Sequence, residues 1–382
     1  MEHILPSIID AARYVLPFIV VLSIVVFVHE FGHFWVARRC GVRVESFSIG
    51  FGNELFGWND RYGTRWKVAW LPLGGYVKMF GDSDPTSALP DENVKHMTDE
   101  EKKVAFFSQT VGKRFAIAAA GPLSNYLFAI LVLAGLFLFN GQPYTSPVVD
   151  TVMEKSAALQ AGIKPGDRIL ALDGNAIGSF EDIKRIISMN SGTPVDVTLE
   201  RNGERKTIHV TPEIALSTDR LGGEHKMGRI GITSTKMEYR YLKLPGALQQ
   251  ATLESWNLTA TTLKAVGQMI IGIRGTDELG GPLRIAEMSG KIAQEGVSAF
   301  IWFLVVISVN LGLLNLFPIP LLDGGHLVFY LVEKARGKPL SERAQEYGAR
   351  VGIFLVVSLM LFATWNDLVH LRVISWLQGL FS

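Results

Sequence analysis

The sequence predicts a polytopic α-helical membrane protein: four transmembrane helices, a membrane-associated β-hairpin segment and a separate α/β module outside the membrane. Three observations carry that expectation. Of the 382 residues, 48% are hydrophobic and mean hydropathy is positive, which argues against a purely soluble chain. The excess apolarity is concentrated in Val15 to Ala37, Phe115 to Phe139, Phe300 to Phe317 and Val351 to Trp365. Between these stretches the pattern shifts twice, to short β-like runs over 42–79 and to a small α/β module over 146–212 with alternating apolar positions in its last part.

The second stretch is a clean span of about 20 residues, whereas the other three are short or interrupted by polar groups. The first does not resemble a secretory signal, because Glu2 and Asp10 precede it with only Arg13, and no small-residue cleavage site follows. After it, SFSIGFG and RWKVAWLPLGGYVKM mix Gly, Trp and β-branched residues in short runs that predict strands and hairpins. Strand edges cannot face lipid unpaired, so this segment is expected to pack on the helices or line a polar cavity. Residues 80–103, with Asp82, Asp84, Asp91, Glu92, Asp99, Glu100 and Glu101, predict a solvated loop ending in an amphipathic helix.

Basic residues set the topology. Arg38, Arg39 and Arg43 follow the first span, Lys102, Lys103, Lys113 and Arg114 precede the second, and Lys334, Arg336, Lys338, Arg343 and Arg350 separate the third from the fourth. The positive-inside rule then makes those two loops cytoplasmic, and puts both termini and residues 140–299 outside. The net charge of +1 gives no support to nucleic-acid binding. The single cysteine, Cys40, falls on the cytoplasmic side and can form no intramolecular disulfide, so the outer module must rely on its own core.

That module has alternating apolar positions in PVDVTLERNGERKTIHV around an Asn202-Gly203 turn, preceded by SAALQAGIKPGDRILALDGNAI with a Pro165-Gly166 turn. The stretch AGIKPGDRILALDG resembles the PDZ family over about 65 residues. PDZ domains bind extended peptides by strand addition, so the resemblance implies peptide or protein termini as ligands. Residues 246–299 show amphipathic helical patterning around GTDELGGPLRIAE and are expected to link module to membrane.

The chemistry sits in the first span, where His29-Glu30-Phe31-Gly32-His33 continues directly from VVLSIVVFV. On a helix, histidines at i and i+4 project from one face about 5–6 Å apart, so both imidazoles reach one Zn²⁺. Glu30 lies about 100° round the helix, near enough to take a proton from an attacking water. Each ionisable group in hydrocarbon costs roughly 2.5–3.5 kcal/mol, so three of them within five residues need a strong compensating interaction, which a metal supplies. A catalytic zinc takes three protein ligands and leaves one position open. The third span ends in NLFPIPLLDGG, where Pro318 and Pro320 break the helix just before Asp323, making that carboxylate the best third ligand. With neutral His29 and His33 and anionic Asp323 and Glu30, the charges of the metal and its surroundings sum to about zero. His326, one turn further on, is the alternative ligand, while His3, His96, His209, His225 and His370 are expected at surfaces.

HEFGH together with NLFPIPLLDGG resembles the site-2 protease family, intramembrane zinc metalloproteases of the regulator-of-sigma-E protease type, over essentially the whole chain. LGGYVKM resembles the family's membrane-reentrant β element, and AAAGPLSNYLFA matches its second span. The resemblance implies a multi-pass protein of the bacterial inner membrane that cleaves single-span substrates, anti-sigma factors or remnant signal peptides, within the bilayer. Those substrates would be pre-cleaved by another protease, with the module periplasmic and the active site toward the cytoplasm. By the same resemblance His29, His33 and Asp323 bind zinc, Glu30 is the catalytic base, and Asn315 helps hold an unwound substrate strand. One departure is that better-known members carry two tandem PDZ domains, whereas sequence for only one is present here; MGRIGITST, within residues 213–240, is either the end of that module or the remnant of a second.

The expected organisation is a first half-core (1–140), the PDZ module (141–240), a periplasmic connecting region (241–299) and a second half-core (300–382). Two other functions compete with the protease. A non-catalytic scaffold would have no need of Glu30, and a divalent-metal transporter would be expected to show repeated halves, of which there is no trace.

Overall fold

In the computed structural model, residues 4–82, 97–218, 224–273, 275–276 and 280–370 are described. Several of the expectations above lie outside the described residues: those on Glu2, His3, Asp84, Asp91, Glu92, His96 and residues 277–279, and those on the side chains of Asp10, His225 and His370. The chain forms two compact units: residues 1–134, 248–263 and 276–382 make a membrane unit, and residues 135–247 with 264–275 make the other.

The membrane unit opens with α1 (Ile4–Arg39), which is followed by β1 (Val44–Asn59), β2 (Arg65–Met79), a short α2 (Asp99–Val104) and α3 (Val111–Phe139). Thr98 and Glu101 begin α2 with a reciprocal capping box. β1 and β2 pair antiparallel but bend, so that Ser46–Ile49 lies beside both Gly75–Lys78 and Arg65–Val68, while Gly57–Asn59 pairs with Arg65–Lys67. Among the described residues, Gly75–Met79 is therefore paired on one side only. The inner half of this sheet packs as the sequence leads one to expect: Phe47 is fully buried, with Trp66 stacked on it at 4.4 Å and Phe34 of α1 at its edge. The outer half differs, for Leu55, Phe56, Trp58 and Trp70 are exposed, an apolar surface suited to lipid.

The second unit contains β3 (Gln142–Thr145), β4 (Thr151–Val152), α4 (Ala157–Gln160), β5 (Arg168–Leu172), β6 (Asn175–Ala176), α5 (Phe180–Met189), β7 (Val195–Arg201), β8 (Glu204–Val210), β9 (Glu213–Thr218), β10 (Glu224–Arg229), β11 (Ile232–Thr233) and β12 (Met237–Arg240). Its central sheet has the order β6-β5-β7-β8. Asn202 and Gly203 both have positive φ, the type I′ geometry that an Asn-Gly pair favours between two strands. The core is apolar and complete, with Ile169, Leu172, Ile183, Val197 and Leu199 almost wholly buried. β11 pairs with β4 and β12 with β3, so residues 230–240 finish this module and are not the start of a second.

The chain then continues through α6 (Leu244–Ile270), α7 (Pro282–Glu295), α8 (Val297–Asn315), α9 (Asp323–Arg336) and α10 (Glu342–His370). Among the described residues, four segments are long and apolar enough to span a bilayer: Ala12–Arg39, Val111–Phe139, Val297–Asn315 and Arg343–Val369. They contain the four apolar stretches of the sequence, apart from the last two residues of the third. The connecting region behaves less simply than amphipathic patterning suggests. Thr259 of α6 shares a 3.0 Å hydrogen bond with Tyr126 of α3, and Thr262 donates to Asn310 of α8 at 3.0 Å; both partners lie within spans. α7 starts on the buried carboxylate of Asp367 from α10, which accepts from the amides of Gly281, Leu283 and Arg284 and so satisfies the exposed N–H groups of a helix start.

Candidate active site

Two glycines allow the site to form. At Gly32 of α1 a Cβ would collide with Ser124 and the Ala120 carbonyl, and at Gly121 of α3 it would collide with His33 Nε2. The two spans can therefore touch backbone to backbone at the level of the histidines, as small residues permit in membranes. The third element is the break between α8 and α9. Pro318 and Pro320 deny the helix its N–H groups, Leu321 takes a left-handed φ of 93°, and the chain re-enters a helix at Asp323. No Cβ fits at Gly324 or Gly325, where it would strike the carbonyls of Phe317 and Ile319. The glycines after Asp323 are thus required by a turn that packs on itself.

These elements bring together His29, His33 and Asp323. The two Nε2 atoms are 3.2 Å apart, and Asp323 Oδ2 lies 3.1 Å from His29 Nε2 and 3.4 Å from His33 Nε2. Zinc bonds of about 2.0–2.2 Å at tetrahedral angles place neighbouring donors roughly 3.3–3.6 Å apart, so the triangle has close to the dimensions of one face of such a shell. Hydrogen bonding points the same way. His33 Nδ1 donates to the Ile117 carbonyl at 2.8 Å, which leaves its Nε2 lone pair aimed at the centre. Asp323 Oδ2 is buried and receives no well-aligned hydrogen bond from any described residue. Lone pairs converging in a buried site repel one another unless a cation lies between them, so the donor set fits zinc. Among the described residues this is the only such cluster of potential metal ligands.

Glu30 lines the same cavity, which measures about 220 Å³. Strand β2 crosses beside it at Gly75, where a Cβ would lie 3.2 Å from Glu30 Cγ. Asn315 also lines the cavity, its amide nitrogen donating to the Leu311 carbonyl at 3.0 Å. All five residues singled out from the sequence are therefore gathered at one place. His326 reaches the cavity wall but is not among the three converging donors, while His209 is exposed and paired with Asp196 in the other unit. Sequence reasoning matched AAAGPLSNYLFA of α3 to the family but gave no role to its residues, of which Gly121 and Asn125, with Ile117, recur every four residues on the face toward the histidines. One signal could have found them: Asn125 is a polar side chain in the middle of an otherwise apolar span.

The combination of spans, a buried two-histidine, one-carboxylate cluster and an adjacent glutamate defines a membrane metallohydrolase. The family model of peptidase family M50 matches residues 17–359, and the chain belongs to that family, the site-2 zinc metalloproteases. A zinc metalloprotease homologue from Agrobacterium fabrum is 45% identical over 359 residues, covering 93% of this chain and 95% of its own. Metalloprotease MmpA of Caulobacter vibrioides is 37% identical, with coverage of 95% and 97%. Regulator of sigma-E protease RseP of Salmonella typhimurium is 33% identical, with coverage of 92% and 97%; the alignment runs over 451 residues against the 382 of this chain, so that relative carries segments without a counterpart here. Among solved structures, the PDZ domain of an SdrC-like protein from Listeria monocytogenes is similar to 24% of the chain, at 23% identity and a TM-score of 0.19. Membership of family M50 decides for a zinc-dependent membrane protease over the scaffold and the transporter.

Proposed function

We propose that this protease cuts the transmembrane segments of single-span proteins, an anti-sigma factor or a remnant signal peptide, after another protease has removed their outer domain. In this reading His29, His33 and Asp323 hold the zinc, Glu30 is the general base and Asn315 binds substrate. The observation that carries it is the gathering of the three-donor cluster, Glu30 and strand residues Gly75–Val77 around one small cavity. Zinc supplies Lewis acidity there, polarising a carbonyl and lowering the pKa of water to about 7. Glu30 accepts the proton of the attacking water and returns it to the leaving amine.

An intact helix in lipid has its interior N–H and C=O groups occupied by its own hydrogen bonds, so its peptide bonds are not presented to the cluster. The substrate must unwind, and each freed N–H and C=O then needs a partner in a medium without water. Gly75–Met79 offers one, since its ladder with Val44–Ile49 occupies only one side and Gly75, Tyr76, Val77 and Met79 line the cavity. The strand adds the substrate as a neighbour, with the Asn315 amide supporting its other side.

In this reading the basic loops are cytoplasmic, the module is outside and HEFGH lies toward the cytoplasmic end of the first span, in the inner membrane. The module then takes no part in the chemistry and selects what enters, by binding a newly exposed terminus or by excluding bulk. Purified protein in liposomes with a short single-span substrate should cleave it, and the Glu30→Gln protein should not. Deleting residues 146–212 should leave cleavage of that short substrate nearly intact while admitting longer ones. Loss of both activities in a folded, zinc-loaded deletion protein would refute the filter, and equal cleavage by parent and Glu30→Gln would refute the mechanism.

A further inference from the structure

Asn125 is completely buried in α3, four residues beyond Gly121, and its side-chain amide lies 3.3 Å from His29 Nδ1. Ser308 of α8 donates to the Asn125 backbone carbonyl at 3.0 Å and is itself fully buried, which ties this turn of α3 to the helix that leads into Asp323. No motif-based assignment gives Asn125 a role. Its geometry does, once the chemistry of His29 is followed through, and the inference rests on the zinc ligands proposed above.

An imidazole that ligates through Nε2 carries its proton on Nδ1, and that N–H needs an acceptor. His33 has one in the Ile117 carbonyl. The side-chain group facing Nδ1 of His29 is the Asn125 amide, whose N and O ends differ only in hydrogen-bonding sense. With the amide nitrogen toward His29, Asn125 would donate to Nδ1, force the proton onto Nε2 and disable the ligand, and its own buried Oδ1 would make no hydrogen bond with any described residue. With Oδ1 toward His29, Nδ1–H donates and the Nε2 lone pair is free to point at the Asp323–His33 pair.

We infer that Asn125 is a positioning residue for zinc, accepting the Nδ1 proton of His29 through Oδ1 and so holding that ring in its ligating tautomer and orientation. Together with Ile117 it makes one face of α3 the second shell for both histidines, at positions i and i+8. Ser308 fixes the height of that face against α8. An isosteric apolar residue at 125 would preserve the packing and remove only the acceptor.

The test is the zinc dissociation constant of full-length protein in detergent, measured by chelator competition, with the visible spectrum of the Co²⁺-substituted protein as a second readout. Asn125→Leu should weaken zinc binding about 10- to 100-fold, the usual range for a lost partner of a ligating histidine, and alter the Co²⁺ bands. Asn125→Asp, which can only accept, should retain parental affinity within a few-fold. Should Asn125→Leu fail to fold, the Asp variant decides alone, because weakened binding in a folded Asn125→Asp protein would exclude an acceptor role. Parental affinity in Asn125→Leu, or equal weakening by Leu and Asp, would overturn the inference. A parent whose zinc affinity is indifferent to His33→Ala would instead remove the ligand assignment, and the role of Asn125 with it.

Discussion

The two units each bury an ionic cluster, and the clusters are built on opposite principles. In the module, Asp167 is 1% exposed and accepts two 2.7 Å hydrogen bonds from Arg201, with a third at 2.8 Å from the Lys164 amide. Its charge is matched within the polypeptide. In the membrane unit, His29, His33 and Asp323 aim three acceptor atoms at one point, with no Lys or Arg among the residues lining the cavity. Buried charge survives in proteins only when it is paired or coordinated. The module's cluster is closed within the polypeptide, and the membrane cluster in the proposed reading is completed by a zinc ion. What a buried charge lacks is therefore a better guide to function than that it is buried.

The comparison breaks most sharply at Glu30, which belongs to the open cluster without completing it. Glu30→Gln should reduce cleavage on the order of 10²–10⁴-fold, the usual contribution of a positioned base, while zinc per chain by elemental analysis stays at the parental level. Asp323→Ala should lower zinc content as well as activity, since two histidines alone leave an incomplete shell; unchanged zinc would place the third ligand elsewhere. Gly121→Val should act on the same readout through geometry, because any Cβ there collides with His33 Nε2. Zinc occupancy is expected to fall although no ligand is altered.

The closed cluster should respond in stability and not in metal. Asp167→Ala removes a hydrogen-bond partner of Arg201 and of the Lys164 amide and is expected to destabilise the module by about 1–3 kcal/mol, seen as faster amide exchange in β5 and β7, with zinc content unchanged. The same carboxylate sets a pH dependence. Burial alone would raise its pKa, but the hydrogen bonds from Arg201 and Lys164 prevail and hold it below the usual carboxylate range. Its stabilisation is therefore fully present above the unfolded value of about 3.9 and is lost as pH falls through the lower folded value. Module protection should be flat from neutrality to about pH 5 and decline below about pH 4. Smallest of all is the exposed His209–Asp196 pair, where His209→Ala should change stability by less than about 0.5 kcal/mol.

Legibility from the sequence followed the same division. The spans, the Asn202-Gly203 hairpin and the meeting of His29, His33 and Asp323 all rest on local patterns: apolar length, turn chemistry, i/i+4 spacing and a proline-broken helix ahead of a carboxylate. Residues that act through tertiary contact left fainter marks. Gly121 and Asn125 matter because α3 packs on α1, which the sequence of α3 does not declare, although an asparagine in a clean span is a prompt to look for its partner. α6 was hidden for another reason. Its Ser255, Thr259 and Thr262 resemble a soluble amphipathic face, yet the last two hydrogen-bond to side chains of α3 and α8.

In the proposed reading the membrane cluster is a zinc site built by two imidazoles and one carboxylate. X-ray absorption at the zinc edge of purified Glu30→Gln protein tests this most directly, because the substitution leaves His29, His33 and Asp323 in place and is expected to slow turnover strongly. The expected result is a four-coordinate N/O shell at about 2.0–2.2 Å with outer scattering from two imidazoles, falling to one in the His33→Ala counterpart. A sulfur shell near 2.3 Å, which would implicate Cys40, or an imidazole count that His33→Ala leaves unchanged, would contradict it.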